Sequence, residues 1–60
     1  MESRHFLKVD DTVEDYSGNV GRVIESSALY AMVEWFDGRR QEVDQFEPHI
    51  WVVQRATGTD

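Results

Sequence analysis

Residues 29–36 read Leu-Tyr-Ala-Met-Val-Glu-Trp-Phe, and Asp37-Gly38 follows directly. Leu29, Ala31, Val33 and Trp35 take every second place, the period of an extended strand with one buried face. Ala, Leu, Met and Glu would also suit a helix over residues 26–36. That reading fails, because Val33, Trp35 and the Asp-Gly pair fit alternation better than a 3.6-residue repeat. Asp-Gly accepts the positive φ angles of a tight hairpin turn. Residues 29–36 therefore read as a strand entering a hairpin.

The neighbouring segments repeat the rhythm of short strand and turn. Arg39 to Val43 forms the return strand. Before residue 29, Val20 to Glu25 is a strand, and Gly21 within it marks a bulge or a close backbone approach. Ser26, Ser27 and Ala28 supply a turn. Glu14 to Asn19 (EDYSGN) is rich in turn residues. A first strand spans Leu7 to Val13, with Leu7, Val9 and Val13 apolar and an interruption at Asp10-Asp11. After the return strand, Asp44 to His49 (DQFEPH) forms one short 3-10 turn, capped by Asp44 and closed by Pro48. Phe46 at this turn is expected to plug one end of the core, and Ile50 to Gln54 is the last strand. The expected fold is all-β: a single small closed or nearly closed barrel of about five antiparallel strands. It occupies residues 7–54. The polar segments 1–6 and 55–60 are expected to be flexible.

Sixty residues make one domain, and a chain this short buries only about 60 % of its unfolded surface. There is no cysteine, so neither a disulfide nor a cysteine-based zinc site can reinforce it. No apolar run reaches the ~20 residues of a membrane span. The first eight residues lack a signal-peptide core, so the expected location is cytoplasmic. Twelve Asp and Glu face six Lys and Arg, a net charge of −6. That balance lacks the basic footprint of most nucleic-acid binders and suits a cationic partner.

Val9-Asp10-Asp11-Thr12-Val13, then Gly18, Val20, Gly21 and Val23, then Val33, Trp35, Asp37 and Gly38, resemble the pattern of SH3-like barrels of the KOW/Tudor type. The resemblance covers about residues 7–53, with Asp10 standing where a glycine is usual. It implies the barrel, and no particular ligand: such barrels bind RNA, ribosomal or transcription partners, methylated side chains or other proteins. Ala28-Leu29-Tyr30 is similar to the ALYDY stretch of proline-binding SH3 domains. There, however, the stretch comes early and the ligand-gripping Trp much later, whereas Trp35 follows here within five residues.

Catalysis is not expected. The serines and two distant histidines form no readable triad, and His5 and His49 read as surface residues. Asp10 and Asp11 point to opposite faces of an extended chain, so they share neither a metal nor a proton. The Val-Gln-Ile-Tyr stretch of SH3-like plasmid dihydrofolate reductases has no match. No cofactor and no metal is implied.

The aromatic residues say more. Tyr30, Met32 and Phe36 lie on the strand face opposite Trp35, with only Glu34 polar among them. The last strand is apolar on both faces and includes Trp51. Such an outer face marks a binding or oligomer surface. Tyr16 and Phe36 stand where Tudor-type barrels place cage aromatics for a methylated cation, with Glu14, Asp15 and Asp37 near.

The leading expectation is a non-enzymatic protein-interaction module using Tyr16, Tyr30, Met32, Phe36 and Trp51. It would bind a basic protein surface, or block a DNA-binding groove by mimicry. The alternative is a KOW-like nucleic-acid or ribonucleoprotein factor, with Arg22, Arg39 and Arg40 on phosphate. A homodimer through the apolar outer face is the third reading.

Overall fold

The computed structural model describes residues 7–55. Most of both segments expected to be flexible, with His5 and Phe6, lies outside the described residues. Five strands appear in chain order: β1 Thr12–Asp15, β2 Val20–Ser26, β3 Tyr30–Trp35, β4 Arg40–Asp44 and β5 Ile50–Gln54. All neighbours pair antiparallel in one sheet of order β4-β3-β2-β1-β5. Four strands meander, and the fifth returns to lie beside the first. Among the described residues there is no helix, and the sheet stays open between β4 and β5, so of the closed and nearly closed forms expected it is not the closed one.

Alternation places the core. Ala31, Val33 and Trp35 of β3 are buried, and Val13, Val23, Val43 and Leu7 complete the cluster, with Ile50 and Val52 packed partly against it. Each fully buried Val or Leu among them contributes about 1.5–3 kcal/mol by leaving water. Gly21 stands between Val13 and Trp35 in the register. A Cβ there would lie 2.8 Å from Trp35 Cε3 and 2.9 Å from both the Glu34 carbonyl oxygen and Val33 Cγ1. The oxygen belongs to the β3 backbone and cannot swing aside. Gly21→Ala should therefore cost about 1–3 kcal/mol as overpacking, read as a lower urea midpoint at unchanged slope. A midpoint equal to the parent's would show that β2 and β3 can separate at no cost.

Several expectations about the core need correcting. The first strand starts at Thr12, not Leu7. Lys8 to Asp11 form a turn instead, with the Asp11 N–H donating to the Lys8 carbonyl at 2.9 Å. Asp10 takes φ +76°, a left-handed conformation that Asp tolerates better than most residues. Leu7 is buried, but Val9 on the turn is exposed. Leu29 is 70 % exposed rather than core-facing. It lies in the turn closed by Ser27 N–H to Tyr30 C=O at 2.9 Å, so the strand's alternation begins only after it. Phe46 is 54 % exposed and stands outside the buried core cluster rather than plugging its end. Its turn is a single hydrogen-bonded one, Glu47 N–H to Asp44 C=O at 3.1 Å, and it turns Gln45 inward instead.

A candidate binding cleft at the open side of the sheet

Where the sheet fails to close, the inner face is reachable from solvent. A cleft of about 340 Å³ opens there, floored by Trp35, Gln41 and Val43 and walled by residues from the ends of β1, β4 and β5. Four acidic residues line it, Asp15, Glu42, Asp44 and Glu47, and among the described residues no Lys or Arg does; Glu42 and Asp44 stand opposite Met32 and Tyr30 in the β3–β4 register, on the strand face away from Val43. Tyr16 and His49 stack at its rim, ring centroids 5.1 Å apart and planes inclined by 52°. His49 Nδ1 lies 3.1 Å from Glu47 Oε2. Trp35 Nε1–H donates to Gln41 Oε1 at 3.0 Å, which fixes the indole in the floor.

The acidic wall is partly occupied by local bonds. Asp15 Oδ1 accepts the N–H groups of Ser17 and Asn19, each at 2.9 Å, and Oδ2 accepts the Asn19 side-chain amide at 3.0 Å. The Asn19 side chain, foremost, holds the Asp15 carboxyl below the usual carboxylate range. In the β3–β4 turn, the Arg39 N–H and then its guanidinium do the same for Asp37. A folded pKa below the unfolded one stabilises the fold above the unfolded value, and that contribution disappears as pH falls through the folded one. The Asp15→Asn, Asp37→Asn double variant should thus lose less stability than the parent between about pH 5 and pH 3. Thermal melting over that range decides it, and parallel losses would mean that neither turn carries the acid response.

The residues expected to form one binding face fall in different places. Tyr30 and Met32 share a hollow of about 370 Å³ with Glu25 and Glu42. Glu42 also lines the cleft, so the two depressions meet across β4. Phe36 is 74 % exposed and lines a third hollow with Arg22, Glu34 and Gly38. Tyr16 is thus grouped with His49, whereas Phe36, its expected partner in a cage, belongs with Arg22. Trp51 lies on β5 opposite Glu14.

The three arginines do not stand alone. Arg22 and Arg40 both pair across strands with Glu34, and Arg40 Nε lies 3.6 Å from its carboxylate. Arg39 Nε lies 2.7 Å from Asp37 Oδ2. Each adjacent carboxylate cancels part of the positive field a phosphate would feel.

Among the described residues no group of three His, Cys, Asp or Glu side chains is placed to hold a metal ion. No described helix is long and apolar enough to cross a membrane. Glu42, Asp44, Glu47 and His49 were not expected at a shared site. They follow one another along β4 and the turn after it, and the return of β5 to β1 brings Asp15 and Tyr16 beside them. No protein-family model matches the chain, and comparison with curated proteins and with solved structures finds no match.

Proposed function

We propose that the chain is a non-enzymatic interaction module of SH3-like type that receives a basic segment of a partner protein in the cleft between β4 and β5. The order β4-β3-β2-β1-β5, a meander whose last strand returns to the first, supports the SH3-like assignment beside the KOW/Tudor-like spacing of Val9–Val13, Gly18–Val23 and Val33–Gly38. The observation that carries the functional reading is the cleft lining: four acidic residues with no Lys or Arg among them, beside the tilted ring pair Tyr16 and His49. Carboxylates attract a guanidinium or ammonium group, and the face of Tyr16 adds cation–π attraction. The net charge of −6 steers basic surfaces toward the chain.

An Arg- and Lys-rich peptide titrated into the labelled protein should shift the amide signals of Tyr16, Glu47, His49 and Ile50 first. The Glu42→Gln, Glu47→Gln double variant should bind it about tenfold more weakly, from two part-exposed ion pairs of up to ~1 kcal/mol each. Peptide shifts confined to other strands would overturn the placement. RNA or DNA binding that falls steeply with salt, in place of peptide binding, would favour the KOW-like alternative through Arg22, Arg39 and Arg40.

A further inference from the structure

We propose that the outer edge of β5 is the contact surface for a second copy of this chain, the two β5 strands pairing antiparallel about a two-fold axis at Val52. The strand order leaves two outer strands, β4 and β5. An uncovered edge presents a row of backbone donors and acceptors to any strand that fits, and proteins commonly block it with charge. β4 is blocked in this way, since Arg40, Glu42 and Asp44 are exposed along it. β5 is not. Ile50 to Gln54 hold no charged residue, in a chain that is 30 % charged. Trp51 and Val53 stand 42 % and 50 % exposed on one face, while Ile50 and Val52 pack partly against the core on the other.

Geometry selects the register. Directly opposite residues of an antiparallel pair share a face, so a two-fold that keeps both cores on one side must pass through a residue. Val53 is the extra residue at the step opposite Thr12 and Val13, yet the alternation of exposure continues from Ile50 through it. An axis at Val52 centres on the strand. It sets Trp51 against Val53 of the second copy, an aromatic and β-branched pair that stabilises sheets. It also sets Val52 against itself.

The flanks are complementary in charge. Glu47 precedes the strand, its carboxylate on His49, and Arg55 follows it. Antiparallel pairing lays Arg55 of each copy, already 3.0 Å from its own Asp11, beside the Glu47–His49 end of the other. Parallel pairing would instead oppose like with like. The −6 charge on each copy opposes association, and salt screens that repulsion over about 8 Å at physiological strength. Association should therefore tighten as salt rises.

Sedimentation equilibrium of the full chain, from about 10 µM to about 1 mM, should show a monomer–dimer equilibrium. Trp51→Lys or Val53→Lys, both on exposed positions, should weaken it at least about tenfold without loss of the folded circular dichroism signal. The chain has no cysteine, so Val52→Cys reads the register directly. Opposed Cα atoms about 4.5–5.5 Å apart fall within disulfide reach, and mild oxidation should yield the covalent dimer. Mixing a Trp51→Cys chain with a Val53→Cys chain repeats the test without touching the core side. A monomer at every concentration would overturn the proposal. So would a dimer that crosslinks through Glu42→Cys on β4 and through none of the β5 positions.

Discussion

Trp35→Ala is expected to leave the chain unfolded at room temperature. The indole is 3 % exposed and touches elements from both halves of the sheet. Its ring covers Gly21 on β2 so closely that no Cβ fits between them, and its Nε1–H is bound to Gln41 on β4. Its backbone also closes the β3–β4 hairpin, with the Trp35 N–H donating to the Arg39 carbonyl at 2.7 Å and its carbonyl accepting from Gly38 at 2.9 Å. Truncating a buried Trp to Ala costs about 3–5 kcal/mol. A domain of 60 residues has about 3–9 kcal/mol to lose, at ~0.05–0.15 kcal/mol per residue. The remaining core cannot close over the hole, because its other members are mostly valines with no spare reach. The amide spectrum of Trp35→Ala should collapse to the narrow dispersion of an unfolded chain. Trp35→Phe, which keeps a ring against Gly21 and loses only the bond to Gln41, should stay folded with a lower melting temperature. A Trp35→Ala chain that melts cooperatively near the parent would show that the other core residues suffice without it.

The place of Trp35 was legible because it depends on period alone: from Ala31 to Trp35 inward and outward positions alternate without interruption. The last strand was legible for a related reason, as five residues without turn formers bounded by Pro48-His49 and Arg55. Where a turn intruded, the period misled. Leu29 matches the inward row of β3 in sequence but precedes the strand itself. Val9 continues the spacing from Leu7 but lies on a turn that Asp10 makes by taking φ +76°. The sequence signal for that turn was Asp10 standing at a usual glycine position. The cleft was less legible still. Tyr16 was singled out from its loop, but its neighbour His49 lies 33 positions along the chain, and only the pairing of Asp15 with Ile50 brings the two turns together. A polar residue whose partners are all remote leaves no local pattern, and Gln45 is the strongest case.

Gln45→Leu should be the costliest polar substitution among the described residues, although nothing in DQFEPH marks that glutamine out. Its side chain is 6 % exposed and joins three segments. Oε1 accepts the Leu7 N–H at 2.8 Å. Nε2 donates to the Ser27 carbonyl at 2.8 Å, to Ser26 Oγ at 3.1 Å and to the Leu7 carbonyl at 3.2 Å. The amide thereby fastens the entry of the chain and the β2–β3 turn to the end of β4, and it completes the polar roof over the core at Leu7. Leucine has nearly the same volume and no polar atom. The Leu7 carbonyl would keep its bond from Ser26 Oγ at 2.6 Å, but the Leu7 N–H and the Ser27 carbonyl would lose theirs. The buried Leu7 N–H left without a partner costs about 1–3 kcal/mol, and the Ser27 carbonyl, on an exposed turn, adds less because water can reach it. Gln45→Glu should do no better, since it keeps one acceptor, loses both donated hydrogens and brings a charge into a dry site. Phe46→Ala, one residue along on an exposed side chain, is the control and should change stability by less than about 1 kcal/mol. Urea denaturation gives the magnitudes, and hydrogen exchange locates them. In Gln45→Leu the Leu7 amide should lose its protection before the β2–β3 ladder does. If Gln45→Leu were as stable as the parent with the Leu7 amide still protected, burial of the Leu7 side chain alone would be holding the entry segment, and the amide would be incidental to the fold.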